Sequence, residues 1–353
     1  MRCVGGYIMQ QPCLNDLKLQ FTIGGVKGEV PKFVPSKTDY DINVQSDITN
    51  VAITPTADLD YSISINDKPV KSGETYIEDV ITGDNKFEIK LQSIDKNSKT
   101  YTVNVFREDI QSIIDKFKQL SFTDTKTGVT LKYNLFVPDD YDPNVKYPLV
   151  FFLHGAGERG EDLVSVLAAN EGATIWAKEE EQKKRPCFIL APQCPKDKGW
   201  TSLMSTGFDD AHRLTDEGTA AFALLKEIVE TYNIDKCRIY STGVSMGGFG
   251  VWALNIKNPY YFAALVPICC YGDTSRVYVL DRKPIWYFTA NKDEFVKIEK
   301  VQQTIKALKA ADGRHKYTEY PEDAYFYPLA HFSWVPAYAN EEMREWMFEQ
   351  RLF

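Results

Sequence analysis

The sequence is short of basic residues and of long apolar runs, and each shortage excludes a class of protein. Its 353 residues include 41 Lys and Arg against 49 Asp and Glu, which gives a net charge of −8. An acidic surface is repelled by nucleic acid and by anionic lipid, so we expect neither as a partner. No apolar run approaches the ~20 residues that a membrane-crossing helix needs, so we expect no membrane insertion. Residues 1–15 contain one Arg and no long apolar core, so no intact signal peptide is predicted there.

Histidine and cysteine are also too sparse for a predicted metal site. The chain has four His and seven Cys, and none of the cysteines is paired in a C-x-x-C spacing. A structural zinc site needs four closely spaced ligands of these types, so we expect no metal. A disulfide between Cys187 and Cys194 is one alternative, and reduced cysteines in the core are the favoured one. Cys269 and Cys270 are adjacent in an apolar run and are expected to be buried thiols.

Short alternating segments fill residues 14–107. Val, Ile, Thr and Tyr alternate with polar residues, as in 61–65 and 101–106, and Gly, Asn and Asp separate the segments. Regularly spaced short strands without a helical stretch predict a small all-β sandwich.

The details of this region resemble the bacterial cadherin-like β-sandwich module. The resemblance rests on Leu14 and Leu17, on the F-x-P-x-x-x-x-Y phrase at 33–40, on I-x-P-T-A at 53–57 and on K-T-Y-x-V-x-V-x-R at 99–107. It implies a fold rather than an activity. Modules of this type also suggest a secreted or cell-surface bacterial protein.

A different sequence pattern, in which predicted strands alternate with predicted helices, begins at residue 129 and continues to residue 353. We expect residues 108–128 to be a connector that contains a short helix. Predicted strands lie at 129–137, 149–153, 188–191, 238–242, 263–268, 285–289 and 316–320. Predicted helices lie at 163–181, 219–232, 246–257, 296–311 and 341–349. Alternating strands and helices predict an α/β domain with a mainly parallel sheet that is covered on both faces.

The stretch 238–250 carries the strongest chemical signal. It joins an apolar strand to the G-x-S-x-G pentapeptide at 243–247 and then to a predicted helix. This order is typical of a nucleophile elbow, in which a sharp turn exposes the Ser and the following helix directs its first amides at the reacting carbonyl. We therefore predict Ser245 as the nucleophile and the Met246 amide as an oxyanion donor.

A serine nucleophile needs a base and an acid, which follow it in the order acid then His in α/β-hydrolases. Only two histidines follow Ser245. His315 directly precedes a predicted strand and is expected to be a solvated surface residue, whereas His331 lies in the loop after that strand and is favoured as the base. Asp293, in the loop after strand 285–289, is the favoured acid, with Asp273 and Glu294 as alternatives.

The second oxyanion donor is expected from the glycine-rich loop at 154–160, which follows strand 149–153. Ala156 is the predicted donor and Gly155 the near alternative, and His154 is expected to hydrogen-bond this loop in place. Aromatic residues at three further positions are predicted to wall a pocket for an aromatic acyl group, with loop anchoring as the alternative role. These residues are Trp200, Tyr325 and Phe326.

Residues 129–353 as a whole resemble the α/β-hydrolase esterases of the phospholipase/carboxylesterase-like and feruloyl-esterase-like type. The matching phrases lie at 148–160, 191–195, 238–250 and 331–338. The family phrase F-H-G-x-x-D-x-x-V is F-T-A-N-K-D-E-F-V at 288–296, so Asp293 is retained while His-Gly has become Thr-Ala. The resemblance implies hydrolysis of carboxylic esters through an acyl-serine intermediate, without a metal or organic cofactor. It also implies a small-molecule or polysaccharide-linked ester as substrate, such as feruloyl or acetyl groups on plant polysaccharide.

Two other functions fit parts of this pattern. A serine peptidase of the prolyl-oligopeptidase type shares the fold, but that class carries a propeller and this chain has no repeated four-strand blades. A carbohydrate-binding or adhesive protein with an inactive hydrolase domain would not need the complete order of Ser, Asp and His.

Overall fold

The chain folds into two compact units, Met1–Asp109 and Ile110–Phe353. A computed structural model describes residues 12–21, 26–27, 32–44, 46, 48–203, 213–311, 314–322, 324 and 329–352. In the described part, no helix is long and apolar enough to span a bilayer. The six cysteines within it, at positions 13, 187, 194, 237, 269 and 270, are all free.

The first unit contains two sheets. Its strands are β1 Asp16–Gln20, β2 Val26–Lys27, β3 Asp39–Val44, β4 Asn50–Thr56, β5 Tyr61–Ile65, β6 Lys68–Val70, β7 Tyr76–Asp79, β8 Gly83–Ser93 and β9 Ser98–Arg107. One sheet has the order β1-β4-β7 and the other β2-β3-β9-β8-β5-β6. Exposed and buried residues alternate strictly along β3, as expected for a sheet with one face toward a core. The prediction of a small all-β domain is thereby confirmed.

The second unit is built on one eight-stranded sheet. Its strands are β10 Lys118–Thr123, β11 Thr130–Phe136, β12 Tyr147–Leu153, β13 Phe188–Gln193, β14 Ile234–Val244, β15 Ala264–Ile268, β16 Ile285–Ala290 and β17 His315–Tyr320. The order across the sheet is β10-β11-β13-β12-β14-β15-β16-β17. Pairing is antiparallel from β10 to β13 and parallel from β13 to β17. This mainly parallel sheet confirms the predicted α/β fold class.

Helices flank this sheet. They are α1 Gln111–Ile114, α2 Ser165–Ala168, α3 Glu179–Lys184, α4 Asp216–Thr231, α5 Met246–Lys257, α6 Ile298–Ala310, α7 Trp334–Ala339 and α8 Glu341–Glu349. Every residue of β12, β13 and β16 is buried, which is typical of parallel strands that are covered on both faces. The carboxyl ends of β12, β14, β16 and β17 lead into the loops or turns that carry the predicted site residues.

Two expectations about local structure were wrong. Residues 110–128, expected to be a connector, belong to the second unit; they contain the expected short helix, α1, but also the strand β10, which pairs antiparallel with β11 at the sheet edge. β10 has only two apolar residues, Leu120 and Phe122, and five of its six residues are exposed, so its apolar pattern is short and weak. The helix expected at 163–181 is broken into α2, a 3-10 turn at Thr174–Ala177 and α3. The break contains Gly172, where a Cβ atom would lie 2.2 Å from the Phe152 ring.

Candidate active site

Ser245 lies at the sharp turn between β14 and α5. Its φ of 51° and ψ of −118° are unfavourable for a residue with a Cβ atom and persist only where neighbouring structure imposes them. The Ser245 amide donates to the Ile268 carbonyl at 3.0 Å, which fixes the turn against β15. The side chain stays half-buried at the carboxyl edge of the sheet.

The two glycines of the pentapeptide are there because the backbone passes too close for a side chain. A Cβ atom on Gly247 would lie 1.8 Å from the Leu153 carbonyl oxygen, and one on Gly243 would lie 2.7 Å from both Gly247 and Leu153 backbone atoms. Separations under 3 Å require the backbone itself to move. The glycines therefore let the elbow sit directly against the end of β12.

The structure brings the favoured three side chains together. His331 Nε2 lies 2.9 Å from Ser245 Oγ, and His331 Nδ1 lies 2.7 Å from Asp293 Oδ2. The Asp293 side chain is fully buried and that of His331 is 8% exposed. Both distances are within hydrogen-bonding range. Nδ1 must carry the proton, because the carboxylate can only accept, and this leaves Nε2 free to accept from the serine hydroxyl.

Asp293 is itself held by its own turn. Its Oδ1 accepts hydrogen bonds from the amides of Phe295 at 2.9 Å and Val296 at 2.8 Å. The two carboxylate oxygens therefore have separate partners, the backbone for Oδ1 and the imidazole for Oδ2. The two backbone hydrogen bonds therefore fix the orientation of the carboxylate independently of His331.

The alternative candidates lie elsewhere. Asp273 Oδ1 accepts from the amide and hydroxyl of Ser275, so it forms a local turn. His315 begins β17 at its amino end, the end opposite to the site. Glu294 contacts the backbone of the His331 loop, with Oε1 accepting from Ala330 at 3.0 Å and Oε2 from His331 at 3.0 Å.

The two predicted oxyanion amides lie in suitable segments. Met246 is the first residue of α5 and is buried, and Ala156 is half-buried in the loop after β12. Among the described residues, no acceptor takes a hydrogen bond from either backbone amide. Free amides at a helix start and in an adjoining loop are the groups that stabilise a developing oxyanion.

His154 holds in place the loop at 154–160, called the oxyanion loop below after its predicted role. Its Nδ1 donates to the Gly155 carbonyl at 2.6 Å, and its Nε2 accepts from the Cys194 amide at 2.9 Å. Burial lowers the pKa of His154 to about 4, so the ring is neutral, in agreement with one donor and one acceptor. Arg159 adds a further clamp by donating from Nε to the Ala156 carbonyl at 2.8 Å.

The predicted substrate-contacting aromatics have different outcomes. Trp200 is fully buried, and its Nε1 donates to the His154 carbonyl at 3.1 Å. In this structure it supports the oxyanion loop and has no exposed surface to offer a substrate. Tyr325 and Phe326 lie outside the described residues.

Two contacts and one shifted pKa near the site were not predicted from the sequence. The Ser245 amide also approaches Cys269 Sγ, at 3.2 Å. The Phe295 ring, 57% exposed, packs edge-on against His331 with centroids 5.0 Å apart. Glu158, in the oxyanion loop, has its pKa raised by burial, an effect that the amides of Gly155 and of Glu158 itself oppose. Glu158 and Phe295 lie within the matching phrases at 148–160 and 288–296, but the phrases do not indicate these features, which depend on how loops fold over the sheet.

This arrangement has the parts that acyl transfer requires: a half-buried hydroxyl beside an oriented imidazole, a buried carboxylate behind it, and two amides without an acceptor among the described residues. In the described residues, no three His, Cys, Asp or Glu side chains cluster so as to hold a metal ion.

A solved structure described as a thermostable esterase shares both sequence and fold with this chain. The two are 31% identical, and the match covers 90% of this chain and 100% of that one with a TM-score of 0.67. The chain belongs to the α/β-hydrolase esterases. A ferulic acid esterase structure, 14% identical, matches 66% of this esterase and 98% of its own chain with a TM-score of 0.51, which shows a common fold.

Family comparisons match one domain within each of the two units. Residues 14–108 match the cadherin-like beta sandwich domain, and residues 196–349 match the dienelactone hydrolase family. The probable feruloyl esterase C of Aspergillus niger is 26% identical over 136 residues, 38% of this chain and 44% of that protein. That of Aspergillus oryzae is 28% identical over 134 residues, with the same shares. The esterase therefore spans less than half the length of these curated relatives.

Proposed function

We propose that this protein is a serine carboxylesterase that forms an acyl-enzyme on Ser245. The observation that carries the proposal is the continuous line of contacts from Ser245 Oγ through His331 to the buried Asp293, at 2.9 and 2.7 Å. Such a line activates a hydroxyl that is otherwise a weak nucleophile.

The reaction follows from this geometry in two steps. Ser245 Oγ attacks the ester carbonyl while His331 Nε2 takes its proton, and Asp293 stabilises the imidazolium that forms. The amides of Met246 and Ala156 bind the oxyanion. His331 then gives its proton to the departing alcohol. In the second step a water molecule, activated by His331, attacks the acyl group and releases the acid and free Ser245.

We infer that the acyl group is feruloyl or acetyl, carried on plant polysaccharide. The curated relatives named probable feruloyl esterase C support the feruloyl assignment. An N-terminal β-sandwich next to a catalytic unit is also suited to a protein that works on a polymer, because a second domain can tether or position the first.

A panel of esters tests this proposal. Wild-type enzyme is to be compared with Ser245→Ala on p-nitrophenyl acetate, on longer p-nitrophenyl esters and on methyl ferulate. We expect turnover of the acetyl or feruloyl ester and a loss of several orders of magnitude in kcat on replacing Ser245. Retention of more than about a tenth of the wild-type rate by a pure, folded Ser245→Ala preparation would refute the nucleophile. A marked preference for long acyl chains would refute the substrate class.

A further inference from the structure

The backbone around His331 lacks the support that the other site residues have. Ser245 lies between a strand and a helix, and Asp293 lies in a turn closed by its own carboxylate. His331 instead occupies a short 3-10 turn, Ala330–Phe332, between β17 and α7. The first amides of any helical turn have no partner within the turn. Something outside the turn must hold them if the imidazole is to stay in place.

Glu294 supplies that support with both carboxylate oxygens. Oε1 accepts from the Ala330 amide and Oε2 from the His331 amide, each at 3.0 Å. Burial tends to raise the pKa of Glu294, but the hydrogen bonds from Ala330, from Glu294 itself and from His331 outweigh it, so its pKa lies below the usual range. The carboxylate is therefore ionised near neutral pH, and an ionised oxygen is the stronger acceptor.

Because Glu294 is adjacent to Asp293, a single turn supplies the contact with the His331 ring and the contact with the His331 amide. Asp293 holds the imidazole at Nδ1, and Glu294 holds the backbone of the same residue. Both carboxylates come from one turn, which the amides of Phe295 and Val296 close on Asp293. A ring held at one atom can still pivot, whereas a residue held at its ring and at its amide cannot.

We propose that Glu294 is a positioning residue that fixes the catalytic base by binding two consecutive amides of the His331 turn. This inference rests on the proposed function, since it assigns a role within the same site. Glu294 touches no reacting atom and acts through His331. Loss of the contact is expected to let the imidazole drift from Ser245, and displacements of about 1 Å can cost about a hundredfold in rate.

The exposure of Glu294 separates this role from a general structural one. Glu294 is exposed, its bond with the Ala330 amide lies at the surface, and its bond with the His331 amide is partly buried. Hydrogen bonds that water can reach contribute little to global stability, because water replaces them. Replacing Glu294 should therefore leave the protein folded while impairing catalysis.

The test compares Glu294→Ala and Glu294→Gln with a matched control, Glu322→Gln. Glu322 is an exposed acid two residues after β17 that pairs with Lys292, and in the described part of the chain it accepts no hydrogen bond from the His331 turn. We expect Glu294→Ala to lower kcat by about 30- to 100-fold with KM changed less than about threefold. Glu294→Gln keeps one carbonyl acceptor, so its kcat should lie between that of Glu294→Ala and the wild type. Glu322→Gln should match the wild type.

A second readout does not depend on activity. Amide hydrogen exchange of the peptide that contains Ala330 and His331 is to be followed by mass spectrometry in the full chain. We expect these two amides to exchange at least about tenfold faster in Glu294→Ala, because they lose their acceptor. An unchanged kcat in Glu294→Ala, or unchanged exchange at these amides, overturns the proposal. If the wild type hydrolyses none of the esters, the proposed function fails, and the exchange measurement still decides whether Glu294 holds the turn.

Discussion

Replacing Asp293 by Asn should disable the enzyme by reversing the proton arrangement of His331. Oδ1 of Asp293 is fixed by two backbone donors, the amides of Phe295 and Val296. In the Asn variant the carbonyl oxygen must take that place, so the NH₂ group must face His331 Nδ1. An NH₂ group donates, and Nδ1 must then accept, which moves the ring proton to Nε2. A protonated Nε2 cannot receive the proton of Ser245.

The expected fall in kcat for Asp293→Asn can be scaled from a known case. The same change in serine proteases lowers kcat by about 10⁴, which corresponds to about 5.5 kcal/mol of activation free energy. We expect a comparable fall here, because the contact is short and the carboxylate is fully buried. Steady-state kinetics on p-nitrophenyl acetate measures it.

The matched control is Asp273→Asn, the same chemical change at a side chain that accepts from the amide and hydroxyl of Ser275 in its own turn. It should change kcat by less than about threefold. The reasoning is refuted if Asp293→Asn keeps more than about a tenth of the wild-type kcat, or if Asp273→Asn is the more damaging change.

Three further predictions follow from other parts of the structure. A chain shortened to residues 110–353, shown to be folded by circular dichroism, should keep kcat on p-nitrophenyl acetate within about threefold, since every proposed catalytic group lies in that unit; a hundredfold loss would mean that the sandwich contributes to the site. Gly247→Ala should lower the Tm by about 10 °C, because its Cβ would overlap the Leu153 carbonyl, whereas Gly157→Ala has no atom within 4 Å and should not; equal melting temperatures would contradict the close packing. Burial lowers the pKa of Lys283 to about 8 from 10.5, so the charged side chain opposes folding most below pH 8, and this penalty disappears as the pH rises toward 10.5. The stability measured in urea titrations, relative to Lys283→Met, should therefore rise by roughly 2 kcal/mol between pH 8 and 10. A stability difference that does not change with pH would contradict this.

The candidate site could be predicted in outline because its residues lie in a short motif and follow one another in a fixed order along the chain. The G-x-S-x-G phrase identified Ser245 through the small residues that the close approach to Leu153 requires. The order of acid and base along the chain, together with their places after predicted strands, then indicated Asp293 and His331. Each inference needed only neighbouring residues and the general topology of a parallel sheet.

What could not be predicted depends on contacts between distant segments. The exposed edge strand β10 has only Leu120 and Phe122 as apolar residues, a pattern shorter than the roughly four to eight alternating residues by which strands are recognised. Trp200 was expected at the substrate, but its indole lies under the loop that begins at His154, 46 residues earlier in the chain. The bond from Glu294 to the His331 amide spans 37 residues. Such pairs are set by loop conformation, for which the sequence has no periodic signal.

The central claim is that catalysis proceeds through an acyl group on the Ser245 oxygen, and trapping that intermediate tests it most directly. The enzyme is to be mixed with p-nitrophenyl acetate, quenched with acid within the first turnovers, digested and examined by mass spectrometry. The account predicts a single acetyl group on the peptide that contains Ser245, formed together with a burst of p-nitrophenol. Active enzyme whose label lies on another residue, or a burst that persists in Ser245→Ala, would contradict it.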